Sequence, residues 1–171
     1  MKQPSSGLIK DQDILSRSEV FSGIPFEVIQ FFAYFAKRKQ FLAGELIIEM
    51  EREANHACIL IKGEVDITLL HHDRELTLQT LGEGTFFGEL ALLARFNWFF
   101  NARAKSDCEV IILDRESFQH VLDKFPAHRE RMIERIVQLR VKRLTDQNTH
   151  MLDALIKASS GDCSTGTSPI T

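Results

Sequence analysis

The stretch of this 171-residue chain best suited to chemistry is Phe86-Phe87-Gly88-Glu89-Leu90-Ala91-Leu92-Leu93. A glycine at position 88 lets backbone approach a ligand closely, and a short helical turn from Glu89 would aim the N–H groups of Leu90 and Ala91 at an anion. Glu89 beside such a site could accept hydrogen bonds from ribose hydroxyls. Taken alone, Gly-Glu-Leu is a weak signal that also reads as a turn with a solvated carboxylate. The other reactive residue types point away from catalysis. Cys58, Cys108 and Cys163 are odd in number and too widely spaced for a disulfide framework or a zinc knuckle. They read as two buried small hydrophobes and a tail thiol. None of the six His stands in an HxH or HExxH pattern, and His71-His72 before Asp73-Arg74 reads as a hairpin turn. With no recognisable nucleophile–base pair, neither enzymatic activity nor a bound metal is expected.

The elements that position this segment follow from hydrophobic period. Residues 1–10 and 158–171 are polar and turn-rich and are expected to be disordered. A short helix is expected over 11–18, and a second after Ser22-Gly23 with Pro25 in its first turn. The apolar positions of the second, Val28, Ile29, Phe31, Phe32, Phe35 and Ala36, cover an arc wide enough to be held between two surfaces. From Gln40 to Leu113 the period becomes strand-like, with expected strands at 40–42, 46–49, 57–61, 65–70, 76–81, 101–104 and 109–113. A helix over 115–124 follows, and Pro126 opens a long one through 157. Helices, strands, then helices predict an α+β class, an antiparallel barrel or sandwich with segregated helices. The main domain is placed at 11–125 and the C-terminal helix at 126–157.

Composition bounds the setting. The chain is 44% apolar and 26% charged, with a net charge of −3. No apolar run is long enough to span a membrane, and the first twenty residues carry charges where a signal peptide has an apolar core. A soluble, cytoplasmic protein with no membrane partner is expected. The mild acidity argues against bulk nucleic-acid binding. Thirteen Phe against one Tyr and one Trp read first as core packing.

Four blocks in order carry a family resemblance: Phe41-x-x-Gly44-Glu45-x-Ile47-Ile48, Ile61-Lys62-Gly63-Glu64-Val65, Leu81-Gly82-x-Gly84-x-Phe86-Phe87-Gly88-Glu89-Leu90-Ala91-Leu92, and Arg103-Ala104-Lys105-Ser106-Asp107-Cys108-Glu109-Val110. Over residues 13–145 the chain resembles the cyclic-nucleotide-binding domain family of catabolite-activator-type regulators, kinase regulatory subunits and gated channels. The resemblance implies an eight-stranded jelly-roll-like barrel (a double-stranded β-helix), with helices before it and a helix after it that covers a bound base. It also implies a phosphate cassette in which an Arg, followed by a small residue, pairs with the cyclic phosphate.

Counted forward from Gly-Glu-Leu, and backward from Ala104-Lys105-Ser106, that Arg falls on Trp98 and the small residue on Phe99. Truncating one partner of a buried charged pair costs about 2–5 kcal/mol, roughly thirtyfold to several thousandfold in affinity. Indole offers only one neutral donor. Gly88, Glu89, Leu90, Ala91, Trp98 and Phe99 are the candidate pocket residues, and Arg95 is a candidate replacement phosphate contact against the simpler reading of a solvated loop cation. Arg103 is expected to lie outside the phosphate contact. Phe96, Trp98, Phe99 and Phe100 either plug or line the barrel mouth as core, or form an apolar pocket or docking patch. Glu51 stands where the resemblance implies a Gly, so a turn of different shape is expected there.

The expected function is a non-catalytic sensor module with weak or absent binding of cyclic AMP or GMP, acting through protein contacts. The alternative is a functional cyclic-nucleotide-binding protein that uses Glu89 and an atypical phosphate contact. Val137, Val141, Leu144, Asn148, Met151 and Leu155 repeat at the a/d spacing of a coiled coil, with a lone Asn as a register device. They suggest a homodimer through the last helix, and packing of that helix on the protein's own barrel is the rival. No direct DNA binding is expected.

Overall fold

The structure, a computed structural model, describes residues 6–72 and 74–161. It opens with α1 (Ser6–Arg17) and α2 (Phe26–Phe35). Eight strands follow: β1 (Lys37–Phe41), β2 (Leu46–Ile48), β3 (His56–Lys62), β4 (Val65–His71), β5 (Arg74–Leu81), β6 (Phe86–Phe87), β7 (Asn101–Ala104) and β8 (Cys108–Asp114). The chain ends in α3 (Arg115–Lys124) and α4 (Arg129–Gly161), with a 3-10 turn at Pro126–His128 between them. Residues 6–10, expected to lack order, are helical, and α4 runs past Lys157. The remaining terminal residues, Cys163 among them, lie outside the described residues.

The strands form two four-stranded antiparallel sheets, ordered β1-β8-β3-β6 and β2-β7-β4-β5. This is the expected jelly-roll-like architecture. The strand missing from the sequence reading is β6, where Phe86 and Phe87 pair with Ile59 and Cys58. Two residues are too few to show an alternating pattern. Between the sheets lies an apolar core that includes Phe41, Ile48, Leu60, Val65, Ala102, Val110 and Trp98. Burial pushes the Cys58 thiol up to about 12, which keeps it protonated and inert.

A second layer of core joins the helices to the barrel. Phe32 packs at 5.2 Å from Phe21 and 5.5 Å from Phe118, and Phe21 reaches Phe86 at 6.5 Å. Helix α2 presents Phe32 to this layer and Phe31 to Phe125, 5.0 Å away. It is therefore held on two sides, as its wide apolar arc requires. Arg38 on β1 ties α1 to the barrel, bonding Asp11 at 2.5 Å and Glu109 at 2.8 Å. Helix α3 starts where the sequence places it because the Asp114 side chain caps it, accepting from the Ser117 N–H at 2.8 Å.

The chain divides into two compact units, Met1–Ile136 and Val137–Thr171. The barrel, α1 to α3 and the first turns of α4 belong to the first. In the second, Val137, Val141, Leu144, Met151 and Leu155 are exposed. The turn before β3 corrects one expectation. Glu51 sits at φ 68°, a left-handed conformation that Gly adopts freely and an L-residue holds at about 1–2 kcal/mol. The replacement of Gly leaves the backbone in the conformation a Gly would favour.

Candidate functional site

Gly88 ends β6 at φ 76°, and a 3-10 turn follows at Glu89–Leu92, the short helical turn expected from Glu89. Gly88, Glu89 and Ala91 are buried, and Leu90 is half-buried. One expected donor is already spent, because the Ala91 N–H donates to the Gly88 carbonyl at 3.0 Å. A 3-10 turn closes i→i+3 bonds and consumes the N–H that a ligand would need. Arg95 is exposed and forms no hydrogen bond or ion pair with the described residues. Arg103 donates to the Gly44 carbonyl at 2.8 Å and lies 3.5 Å from Glu75, so it braces the β2–β7 corner.

Trp98 is 3% exposed and belongs to the barrel core. Its backbone is held in a short ladder. The Trp98 N–H donates to Arg52 O (2.8 Å), Glu51 N–H to Trp98 O (2.7 Å) and Ala54 N–H to Phe96 O (2.8 Å). Its ring contacts Phe96 at 5.5 Å, Phe100 at 5.4 Å and His56 at 6.0 Å. A Cβ added to Gly88 would stand 3.0 Å from the Trp98 Cη2 atom and 3.2 Å from the His56 carbonyl. The absence of a side chain at Gly88 thus makes room for the chain's own indole. Phe99 departs from its expected place among the pocket residues. It is 53% exposed in the bend before β7, while Trp98 is buried and Phe100 half-buried.

Residues 38–125 match the model of the family described as Cyclic nucleotide-binding domain, which covers more than half of the chain. This chain belongs to the cyclic nucleotide-binding domain family. Families of such domains are regulatory, not catalytic. Among curated proteins it is similar to potassium channel GORK of Arabidopsis thaliana, 24% identical over 110 residues that make up 64% of this chain and 13% of the channel. It is 28% identical to potassium channel KOR1 of Oryza sativa subsp. japonica over 107 residues, 62% of this chain and 12% of that one. The chain thus spans about an eighth of the length of these relatives. Among solved structures it is similar to a cyclic nucleotide-binding domain from Methylobacillus flagellatus (TM-score 0.75, 14% identity, 86% of this chain and 83% of that one). The Thermus thermophilus catabolite activator protein matches with TM-score 0.67 and 25% identity over 81% of this chain and 63% of that one. Among the described residues no helix is long and apolar enough to cross a membrane.

Within this cyclic nucleotide-binding domain, the residues that sequence reasoning passed over are on α3. Arg115 Nε donates to Ala91 O at 2.5 Å, and its Nη2 donates to Ala94 O at 2.7 Å and also to Ala54 O. Gln119 Nε2 donates to Leu92 O at 3.0 Å. One signal was present: a cation in the first turn of a helix opposes the macrodipole, so Arg115 must serve something outside α3.

His56 adds a pH dependence to the same site. Burial of the ring, reinforced by Lys39 and opposed by Asp114, holds its pKa below the ordinary value of 6.5. The unfolded chain then takes up a proton before the folded one, so the stabilisation is complete above about pH 6.5 and is lost as pH falls toward the folded value. The melting temperature is expected to drop between pH 7 and pH 5, and less so in His56→Gln. Equal drops in the two proteins would remove His56 from the account.

Proposed function

We propose that this protein is a non-catalytic regulatory module whose phosphate site is filled by its own Trp98, so that cyclic AMP and GMP bind weakly or not at all. The observation that carries this reading is the approach of the indole to Gly88, so close that a Cβ there would stand 3.0 Å from its ring. A cyclic phosphate would need a cation in place of an apolar ring, and the nearby Arg95 is exposed to solvent. This same observation weighs against the alternative that Glu89 and Arg95 together hold a nucleotide. Titration calorimetry of the full chain with either nucleotide is expected to give no saturable heat at about 100 μM ligand. An affinity of about 1 μM or tighter would overturn the reading.

The output of such a module is a contact between proteins in the cytoplasm, and the second copy of the chain is the partner its sequence suits. Val137, Val141, Leu144, Met151 and Leu155 are exposed along α4 at a/d spacing. In a parallel pair in register Asn148 meets its own counterpart, whereas in an antiparallel pair centred on the same stretch it would face Leu144 unsatisfied. Thr145 and Thr149 already donate to Val141 O and Thr145 O, so they ask nothing of a partner. Sedimentation velocity should give a dimer mass that Leu144→Glu reduces to monomer, and a monomeric wild type would refute this output.

A further inference from the structure

We propose that Phe96, Phe99 and Phe100, bordered by Glu51 and Glu53, form a docking patch for an arginine-rich segment of a partner protein. The proposal rests on the Trp98 reading, because the buried indole is the floor on which the patch is built. Phe99 is 53% exposed, and Phe96 and Phe100 are half-buried. Their rings form one cluster. Phe99 lies 6.4 Å from Phe96 and 5.1 Å from Phe100, and each of those two packs against Trp98. A lone exposed phenyl is ordinary, whereas a contiguous cluster of rings with no polar handle marks a surface that a partner covers.

The charge beside the cluster sets the sign of the partner. The segment laddered to 96–98 contains Glu49-Met50-Glu51-Arg52-Glu53, where Glu51 N–H donates to Trp98 O at 2.7 Å and Glu53 stands opposite Asn97. All three glutamates are exposed. Arg52 is committed to Glu49 at 3.2 Å, and among the described residues Glu51 and Glu53 enter no ion pair. Ring faces carry negative charge density of their own, so phenyls and carboxylates together attract a cation and repel a phosphate. Guanidinium suits them better than ammonium, because its plane stacks on a ring while its fork engages a carboxylate. Arg95, exposed one residue before Phe96, opposes such a partner and holds its affinity down.

Titration calorimetry of the full chain with a short synthetic peptide of alternating arginine and leucine tests this. A Kd of about 100 μM or tighter is expected, weakening as salt is raised, with no binding of the glutamate–leucine counterpart. Phe99→Ser, a change at an exposed side chain, should weaken binding about tenfold. Glu51→Gln with Glu53→Gln should weaken it about fivefold, and Arg95→Gln should tighten it about twofold. No saturable binding of the arginine peptide, equal binding of the glutamate peptide, or binding untouched by Phe99→Ser overturns the proposal. So does a wild-type dimer that Phe99→Ser dissociates, which would make a second copy the occupant. In each of these cases a Trp98 still shielded from acrylamide leaves the Trp98 reading standing, and a freely quenched one overturns both.

Discussion

Trp98→Ala is expected to destabilise the protein by about 3–5 kcal/mol, the range for large aromatic side chains removed from a packed core. At this chain length that is a fall in melting temperature of about 6–20 °C, readable by circular dichroism. The size of the effect follows from placement. The ring is 3% exposed, lies against Gly88 and His56, and is backed by Phe96 and Phe100. The void left behind is lined by apolar side chains, and such cavities stay dry and take up small aromatic molecules. Free indole should therefore restore part of the loss, about 1.4 kcal/mol at ten times its Kd. Wild-type protein should gain nothing from indole, because its own ring fills the space. A loss below about 1 kcal/mol would show that Trp98 is not packed as described.

Arg115→Ala is expected to cost about 2–4 kcal/mol, through carbonyls that lose their donor more than through lost charge. Ala54 and Ala91 are fully buried, so water cannot replace the guanidinium there, whereas the Ala94 carbonyl lies on an exposed residue and can be hydrated. Arg115→Lys should recover only part of the loss, since one ammonium lacks the fork that spans separate carbonyls. Chemical denaturation measures the cost, and acrylamide quenching of Trp98 in the native state separates positioning from general destabilisation. Quenching should rise in Arg115→Ala under fully folded conditions. Unchanged quenching would make Arg115 a brace for α3 alone.

Much of this was legible in the sequence for identifiable reasons. Alternation along Val65 to Leu70 marked a strand through local physics, and the helix expected over 115–124 does start at Arg115, where the structure shows the Asp114 side chain as its cap. Counting between two blocks put Trp98 where the resemblance implies the phosphate-binding Arg, and the structure buries that residue in the barrel core. Side-chain direction was not legible. Phe99 turned outward just beyond the 96–98 segment that pairs with 51–54, and the Ala91 N–H was spent within its own turn. Arg115 was missed because its partners are backbone carbonyls, which leave no trace in residue type. The conformation at Glu51 shows the reverse case, where a residue unsuited to φ 68° holds it while its own N–H and the Arg52 carbonyl bond to Trp98 and the Met50 N–H donates to Asn101 Oδ1.

The chain's single tryptophan makes the most direct test possible, since every photon of indole emission comes from position 98. Emission and acrylamide quenching of wild-type protein should show an indole shielded from solvent, and millimolar cyclic AMP or GMP should change neither. An indole quenched as freely as a solvent-exposed one, or a saturable change on adding nucleotide, would contradict the claim that Trp98 occupies the phosphate site.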